Sequence, residues 1–327
     1  MTSLASSAAL KAQIVPSAPA APMPALGGHT FRQRYLLAFA SQGELLNYGR
    51  TQILDGESAL PGLFEKWQKL RPRVQGVLKD EAGLCDTISI EALPKELAEV
   101  AAKTESDVLF QRTFQQFPTK FAMVEVDKLV APQRTVNLDY AARQADRFAA
   151  NLSPSGLWDA CGSLKREMDP IQHLEVAPNT HVFSSPNSDV RFLGAFMKNL
   201  DDEDLNYAKT GGIPVAAVIA FVGYGGSPVN GLKVGNRVVL NNGFHRVFSL
   251  RSLGVKKVPM AIQHVQNPDL EINGAIAGLP KEYLLGAPRP VLMKDFFEPD
   301  FVADLDAKER IRTVGISIGL NQHDIPA

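Results

Sequence analysis

The sequence has few of the features that mark secreted, zinc-binding or membrane-spanning proteins. Its 327 residues include two cysteines, Cys85 and Cys161, which lie far apart and outside any Cys-x-x-Cys or Cys/His spacing. A disulfide framework and a structural zinc site are therefore not expected, and both thiols are predicted to be buried in a reducing compartment. No window approaches the roughly 20 apolar residues that are needed to span a bilayer, so a membrane partner is not expected.

An excess of charge of one sign is also lacking. The chain has 34 Lys and Arg residues against 35 Asp and Glu residues, a net charge of −1, so nothing global favours nucleic acid or acidic lipid as a partner. P-loop, Gly-x-Ser-x-Gly and His-Glu-x-x-His patterns do not occur, and His173, His181, His264 and His323 do not have the spacing of metal ligands. We therefore expect a cytoplasmic protein without a metal centre.

Composition and apolar spacing divide the chain into four parts. Residues 1–28 are rich in Ala, Ser and Pro, lack a basic start before an apolar core, and are predicted to be a disordered tail rather than a secretory signal. Residues 29–118 are predicted to be mostly helical, residues 119–266 to form a mixed α/β domain, and residues 267–327 to be an extension of mixed structure. The helices expected in the second part cover residues 31–40, 63–70 (ended by Pro72), 93–102 and 106–117.

The third part alternates strand and helix patterns. A strand begins at Phe121, and a helix follows with Asn137 as its N-cap. Residues 151–210 are predicted to be an irregular insertion or lid, in which the acidic run from Asp201 is solvated. This order predicts an α/β or α+β fold with a mixed sheet. The later elements are a buried apolar strand over 213–222, a strand over 237–240, a helix from about His245 to Leu253 ended by Gly254, and a strand over 257–265.

The turn Asn242-Gly243-Phe244-His245-Arg246, which precedes that helix, is the predicted anion-binding site. Helix N-termini expose unpaired N–H groups and the positive end of the helix dipole. Gly243 would let an anion approach without a Cβ in the way, Arg246 would hold a phosphate through two hydrogen bonds, and His245 would donate a further one. Alternatively, Asn242 only forms the turn and Arg246 caps a neighbouring carbonyl, which would leave a cradle without a ligand.

The segment around this turn resembles the ParB/sulfiredoxin superfamily, and in particular the ParB N-terminal-like domain. The likeness rests on the turn Gly243-Phe-His-Arg246, the helix end Leu253-Gly254 and the strand pattern Val258-Pro-Met-Ala-Ile262. Residues 124–134 are similar to the family's first region, a strand followed by a loop that contains Pro, and residues 213–221 fit the intervening strand. The resemblance implies a ParB/sulfiredoxin-like mixed sheet and a bound nucleotide that is contacted by Gln133, Arg134, Asn242, Gly243, His245 and Arg246.

The chain departs from each known activity of that superfamily. Phe244 stands where sulfiredoxins have a reactive Cys, so sulfinic acid reduction is not expected. Asn242 and Gln133 stand where the free serine kinases have acidic residues, so phosphoryl transfer would need Glu125, Asp127 or His245 as the acid/base or metal-binding group. Phe248 occupies an arginine position of the ParB clamps, and the glycines and prolines after Val265 leave no room for a helix-turn-helix, so DNA is not a favoured partner.

Three functions remain open. The first is a nucleotide-binding regulator of plasmid or mobile-element type, which binds CTP or ATP, with or without Mg²⁺, and rearranges a surface for a protein partner or a second copy. The second is a nucleotide-dependent phosphotransferase or nuclease. The third is a non-catalytic interaction scaffold with a vestigial phosphate cradle. We expect the first, because the Gly-His-Arg core is retained whereas the acidic and Cys positions are not.

Overall fold

A computed structural model of the chain describes residues 30–164, 169–187, 189–204, 212–272, 275–276 and 279–322. The tail predicted over residues 1–28 lies outside these ranges, as does His323. Within them, helices and mixed or antiparallel sheets alternate along the chain, in agreement with an α/β or α+β fold. None of the helices in these ranges is long and apolar enough to cross a membrane.

The helices fall mainly in the N-terminal third and around the predicted site. A capping box begins the first of them, in which Ser41 Oγ accepts a hydrogen bond from Glu44 N and Glu44 Oε2 accepts one from Ser41 N. The α-helices of the described ranges are α1 Gln42–Gln52, α2 Gly56–Asp80, α3 Lys95–Ser106, α4 Val108–Thr113, α5 Leu138–Ala149, α6 Pro154–Cys161, α7 Phe244–Ser252, α8 Pro268–Glu271 and α9 Lys281–Leu285.

The strands of the described ranges form several small sheets around one larger sheet. They are β1 Thr30–Tyr35, β2 Ile90–Glu91, β3 Thr119–Glu125, β4 Thr135–Asn137, β5 Gln172–Ala177, β6 Thr180–Ser185, β7 Val190–Asn199, β8 Ala216–Tyr224, β9 Asn230–Val234, β10 Arg237–Asn242, β11 Lys257–Val265, β12 Ala275–Ile276, β13 Leu279–Pro280, β14 Ala303–Lys308 and β15 Arg312–Ser317.

The larger sheet is mixed and carries the predicted site at one end of a strand. Its order is β10-β9-β11-β3-β2, in which β11 runs parallel to β9 and antiparallel to β3. α7 connects β10 to β11 and packs on α5, where Ser249 Oγ donates to Ala141 O at 2.8 Å. Val124, Met260 and Phe296 are fully buried in the core between these elements. The expected strands at Phe121, 237–240 and 257–265 are confirmed, as is the helix that follows Asn242.

Two turn residues have the roles that the sequence predicts. The side chain of Asn137 caps α5, because its Oδ1 accepts a hydrogen bond from Tyr140 N at 2.8 Å. Gly254 follows α7 with φ of 85°, the left-handed conformation that glycine adopts without steric cost. Cys85 and Cys161 are both buried as free thiols.

The N-terminal region begins with a strand, so the helix predicted over residues 31–40 is wrong. β1 pairs antiparallel with β14 on one side and β4 on the other. Gln33 and Tyr35 are buried on one face of β1, and Arg32 and Arg34 lie on the other, which is the two-residue period of a strand. Tyr35 stacks on Tyr48 of α1 with ring centroids 4.0 Å apart. Tyr35 ends this strand, Leu36 precedes the 3₁₀ turn that follows, and Phe39 ends that turn. The apolar spacing of these three residues therefore does not belong to an α-helix.

Helix α2 confirms the helix predicted over 63–70 but continues past Pro72, which was expected to end it. A proline inside a helix removes a backbone hydrogen bond and costs about 3 kcal/mol. Trp67 and Val74 are buried on either side of Pro72, and Trp67 Nε1 donates to Ala40 O at 2.8 Å. This packing on both sides offsets the local cost of the proline. α4 is shorter than the helix predicted over 106–117.

The prediction of an irregular insertion over residues 151–210 is also wrong within the described part. α6, β5, β6 and β7 lie there, and β5 and β6 form a three-stranded sheet with β15. The apolar run from Ile213 does form a strand, β8, but this strand pairs with β7 in a hairpin outside the larger sheet and is not buried. Asp201, Asp202 and Glu203 are exposed, as expected for a solvated acidic run.

One ion pair connects the two ends of the chain and yields a pH prediction. Arg34 of β1 faces Asp304 of β14 in register, and its Nε and Nη2 each donate to that carboxylate at 2.7 Å. These hydrogen bonds lower the pKa of Asp304. An aspartate whose pKa is lowered by folding stabilises the folded state above its unfolded pKa, about 3.9, and this stabilisation is lost as the pH falls through the folded value.

We therefore expect Asp304→Asn to lower the free energy of unfolding by about 1 kcal/mol at pH 7. The difference from the wild type should shrink as the pH falls below the unfolded pKa of about 3.9, because the wild-type carboxyl takes up a proton as the pH approaches its lowered folded value. Urea denaturation at pH 7 and pH 3 measures both values. Asp300→Asn is the matched control, because the Asp300–Arg73 pair is more than half exposed and should contribute little. A deficit of equal size at both pH values would contradict the assignment.

Candidate phosphate-binding site

The predicted cradle is the start of helix α7. β10 ends at Asn242, Gly243 is the N-cap of α7 with φ of 93°, and no side chain caps the helix at this residue. The first amides of a helix have no acceptor within the helix. A Cβ at Gly243 would lie 2.7 Å from Val229 Cγ2. Glycine is therefore required here by packing against Val229 as well as by its φ.

Arg246 lies one turn into α7 and reaches the end of helix α6. Its Nη1 donates to Ala160 O at 3.1 Å, so the guanidinium interacts with the C-terminus of α6, where cations are favoured. It also lies close to Cys161, although burial dominates there and raises the pKa of that thiol to about 12. This hydrogen bond is the carbonyl cap that the sequence left open as the alternative role of Arg246.

His245 connects α7 to the start of α5. Its Nε2 accepts a hydrogen bond from Asn137 N at 3.2 Å, which requires that nitrogen to carry no proton. The ring packs edge-on against Tyr140, with centroids 5.2 Å apart. These contacts fix the orientation of the imidazole beside the helix start.

Asn242 holds the turn against the base of the β7–β8 hairpin. Its Nδ2 donates to Gly226 O at 3.0 Å and lies 3.4 Å from Asp189 Oδ2. Asp189 also accepts from Gly225 N and forms an ion pair with Arg191. An anion at the start of α7 would therefore meet the Asp189 carboxylate, which Arg191 partly neutralises.

Phe244 belongs to the hydrophobic core. It is buried, and its ring packs edge-on against Phe296 with centroids 5.2 Å apart. Phe244 thus has a packing role in this chain.

Gln133 and Arg134, which the resemblance implies as ligand contacts, have other partners. Gln133 Nε2 donates to Thr135 O at 3.0 Å. Arg134 Nη1 donates to Tyr283 Oη at 2.9 Å, and its guanidinium lies over the Tyr283 ring. Arg134 Nε also lies 3.9 Å from Glu44 Oε1. Arg134 therefore joins helices α1 and α9, and the structure gives neither residue a contact with the start of α7.

The candidate carboxylates Glu125 and Asp127 lie near the other end of α7. Asp127 forms an ion pair with Arg251, eight residues after Gly243, which is roughly 12 Å along a helix axis. Glu125 accepts from Ser89 N at 3.0 Å and lies 3.2 Å from Lys128 Nζ. Of the three candidate catalytic residues, only His245 therefore lies at the turn.

Asp189, Arg191 and the carbonyl of Ala160 are the site groups that sequence reasoning missed. Asp189 and Ala160 are more than 50 positions away in sequence from Asn242 and Arg246, which they contact, and no local pattern indicates their approach. Among the residues that the structure describes, no group of three or more His, Cys, Asp or Glu side chains could hold a metal ion. His173 and His181 form a hydrogen-bonded pair across β5 and β6.

A cleft of about 480 Å³ lies at the C-terminal end of α7, away from the predicted turn. Its apolar wall includes Phe248 and Phe297, and its polar wall includes Arg32, Arg34 and Arg251. Arg34 and Arg251 are held there by Asp304 and Asp127. Arginines therefore lie at both ends of α7, so a binding experiment needs one variant at each end to tell the two sites apart.

Comparison of the chain with protein-family models, curated proteins and solved structures found no match. The resemblance to the ParB/sulfiredoxin superfamily therefore stays a prediction from the residues of the turn and its flanking elements.

Proposed function

We propose that this chain binds a phosphate-bearing ligand, such as CTP or ATP, at the start of α7, and that it is a regulator of plasmid or mobile-element type rather than a catalyst. The observation that carries the proposal is the turn between β10 and α7, in which Gly243 begins the helix and His245 and Arg246 lie within its first turn. Backbone amides at a helix start favour an oxyanion, and a guanidinium one turn away adds a charge-assisted donor.

Binding without a reaction fits the positions of the candidate carboxylates Glu125 and Asp127, and the carboxylate that does lie at the turn, Asp189, is paired with Arg191. A phosphotransferase or nuclease needs a base or a metal-binding group within reach of the phosphate. Glu125 and Asp127 are held in ion pairs near the opposite end of the helix. His245, the candidate at the turn, has its Nε2 engaged by the hydrogen bond from Asn137 N.

A second candidate function is a non-catalytic interaction scaffold. The hydrogen bond from Arg246 to Ala160 O favours it, because this bond engages part of the guanidinium in the fold. The exposed apolar side chains of the β7–β8 hairpin favour it as well. In a scaffold of this kind, no nucleotide would raise the melting temperature.

Thermal-shift measurements with CTP, ATP, GTP and ADP, each with and without Mg²⁺, test the proposal. A ligand at a hundred times its dissociation constant should add about 2.7 kcal/mol to the free energy of unfolding. Phosphate release is measured in the same samples, and none is expected. Release of phosphate would favour the phosphotransferase alternative, and the lack of any shift would favour the scaffold.

We expect Arg246→Ala to weaken nucleotide affinity at least about tenfold, because a charge-assisted hydrogen bond contributes roughly 1.5–3 kcal/mol. Isothermal titration calorimetry measures this on protein shown to be folded by circular dichroism. Arg251→Ala is the matched control, since it removes the same charge from the other end of α7 and should leave affinity unchanged. The opposite result would place the ligand in the cleft beside Arg251 and refute binding at the turn.

A further inference from the structure

The β7–β8 hairpin carries apolar side chains on both of its faces. In its antiparallel register Phe196 is opposite Ile219, and Met197 is opposite Val218. Successive residues of a strand point to opposite faces, so each face of the hairpin carries one of these apolar pairs. The side chains that are about half exposed or more are Phe192, Leu193, Phe196, Met197, Val218 and Phe221. A lone two-stranded hairpin is marginally stable in water, and an exposed apolar cluster of this kind indicates an interaction surface.

The outer edge of β8 has none of the usual protection against strand pairing. Its nine residues, Ala216–Tyr224, contain neither a charged residue nor a proline, although natural edge strands are commonly blocked by lysine, proline or a bulge. The other strand is better protected: β7 carries Arg191 and Lys198, has a bulge between Phe192 and Gly194, and is contacted by β15. Among the described residues, no third strand joins this sheet.

We infer that β8 pairs antiparallel with β8 of a second copy of this chain, which gives a four-stranded sheet across a two-fold axis. A two-fold axis brings the same surface of each copy together, and with that axis at Ala220, the centre of β8, the uncharged residues of this strand lie beside those of its mate. All apolar positions of β8 would then lie beside apolar positions of its mate. A lipid surface is less favoured as the occupant, because the acidic run Asp201–Asp204 follows β7 directly and would be repelled by anionic headgroups.

Edge pairing leaves the side chains of β7 on the faces of the four-stranded sheet, so the apolar contacts across the seam come from β8, on which Val218 and Phe221 are 65% and 49% exposed. The backbone N–H and C=O groups along the outer edge of this nine-residue strand supply the rest of the interface. This proposal does not depend on the binding of phosphate at α7.

Sedimentation velocity or light scattering on the full-length protein tests the inference. The wild type should be a dimer, and Val218→Lys should weaken dimerisation at least about a hundredfold, because it places like charges on the paired edges. Val108→Lys is the matched control: Val108 on α4 is as exposed as Val218 (60% against 65%) and should leave the dimer intact. A monomeric wild type, or a Val218→Lys variant that dimerises as tightly as the wild type, would overturn the proposal.

Cross-linking gives an answer that does not depend on the folding of a lysine variant. Both native thiols are buried, so Ala220→Cys places one exposed thiol at the centre of β8. Mild oxidation should convert this variant to a disulfide-linked dimer in high yield, and Val108→Cys should stay monomeric on a denaturing gel. Equal yields from the two variants would contradict the pairing. A monomer that binds lipid vesicles instead would assign the surface to a membrane.

Discussion

Replacement of Arg289 by Met is expected to lower the free energy of unfolding by about 3–5 kcal/mol. The Arg289 side chain is fully buried, and its Nη1 and Nη2 donate to the two oxygens of Asp295 at 2.8 and 3.0 Å. Nη2 also donates at 2.6 Å to Glu81, the residue that follows α2. Methionine is also unbranched but has no charge, so the variant would leave the Asp295 carboxylate buried without its cation.

The remaining interactions of Asp295 do not compensate for that loss. Leu292 N still donates to the carboxylate at 2.8 Å, but one neutral donor does not replace a guanidinium. Burial already raises the pKa of Asp295, so the variant should take up a proton on this residue more readily than the wild type. Its deficit should therefore shrink as the pH falls from 7 towards the unfolded pKa of about 3.9.

Urea denaturation of Arg289→Met, Asp295→Leu and the double variant measures the coupling between the two residues. The double variant should recover much of the loss, because removal of both charges leaves no unpaired ion in the core. Arg251→Met is the matched control, since its ion pair with Asp127 is about one-third exposed and should contribute about 1 kcal/mol or less. A loss of that small size for Arg289→Met would show that Asp295 does not need the guanidinium.

An effect of this size would make the C-terminal region part of the stable core of the protein. Residues 267–327 are predicted from composition to be an extension, yet Arg289 and Asp295 join α2 to the core through Glu81, and β14 pairs with β1. The two ends of the chain therefore stabilise one another. No sequence pattern reveals such contacts, because they are made between segments that are more than 200 residues apart.

The elements around the predicted site were the ones that the sequence specified best. β11 was predicted over 257–265 and lies at Lys257–Val265, and α7 lies within one residue of its predicted bounds. Gly243 and Gly254 bound that helix, and both have positive φ. Local rules suffice where turn residues define both ends of an element.

The elements that were predicted wrongly depend on contacts from elsewhere in the chain. The β-branched run over 213–222 has the composition of a core strand, but burial is decided by which surfaces meet, and β8 pairs only with β7 among the described residues. Pro72 was expected to end α2, but Trp67 and Val74 anchor the helix on both sides of it.

The candidate site was predicted in part. The turn and its position between a strand and a helix are confirmed, whereas Gln133, Arg134, Glu125 and Asp127 are engaged in contacts elsewhere. Those four residues were selected because residues 124–134 are similar to the first region of the ParB/sulfiredoxin superfamily. No physical argument placed them next to the turn. Asp189 and Ala160 reach the turn only through the tertiary fold.

The other large effect concerns Gly243, for which we expect Gly243→Ala to lower the free energy of unfolding by about 2–5 kcal/mol. A φ of 93° costs an alanine roughly 1–2 kcal/mol. The new Cβ would also lie 2.7 Å from Val229 Cγ2 and 3.2 Å from Val229 Cα, and overpacking of this kind costs about 1–3 kcal/mol. Because packing alone requires glycine here, its presence is not a sign of a bound anion.

Two further glycines separate the contributions of conformation and packing in this prediction. Gly254 has φ of 85° but open space around the new Cβ, so Gly254→Ala should show the conformational cost alone, about 1–2 kcal/mol. Gly76 lies inside α2 with open space and ordinary φ, so Gly76→Ala should stabilise the protein by about 0.5–1 kcal/mol. If Gly243→Ala cost no more than Gly254→Ala in the same urea titration, Val229 would not constrain the turn. The glycine would then be explained by conformation alone, and the start of α7 would have room for the close approach of a ligand.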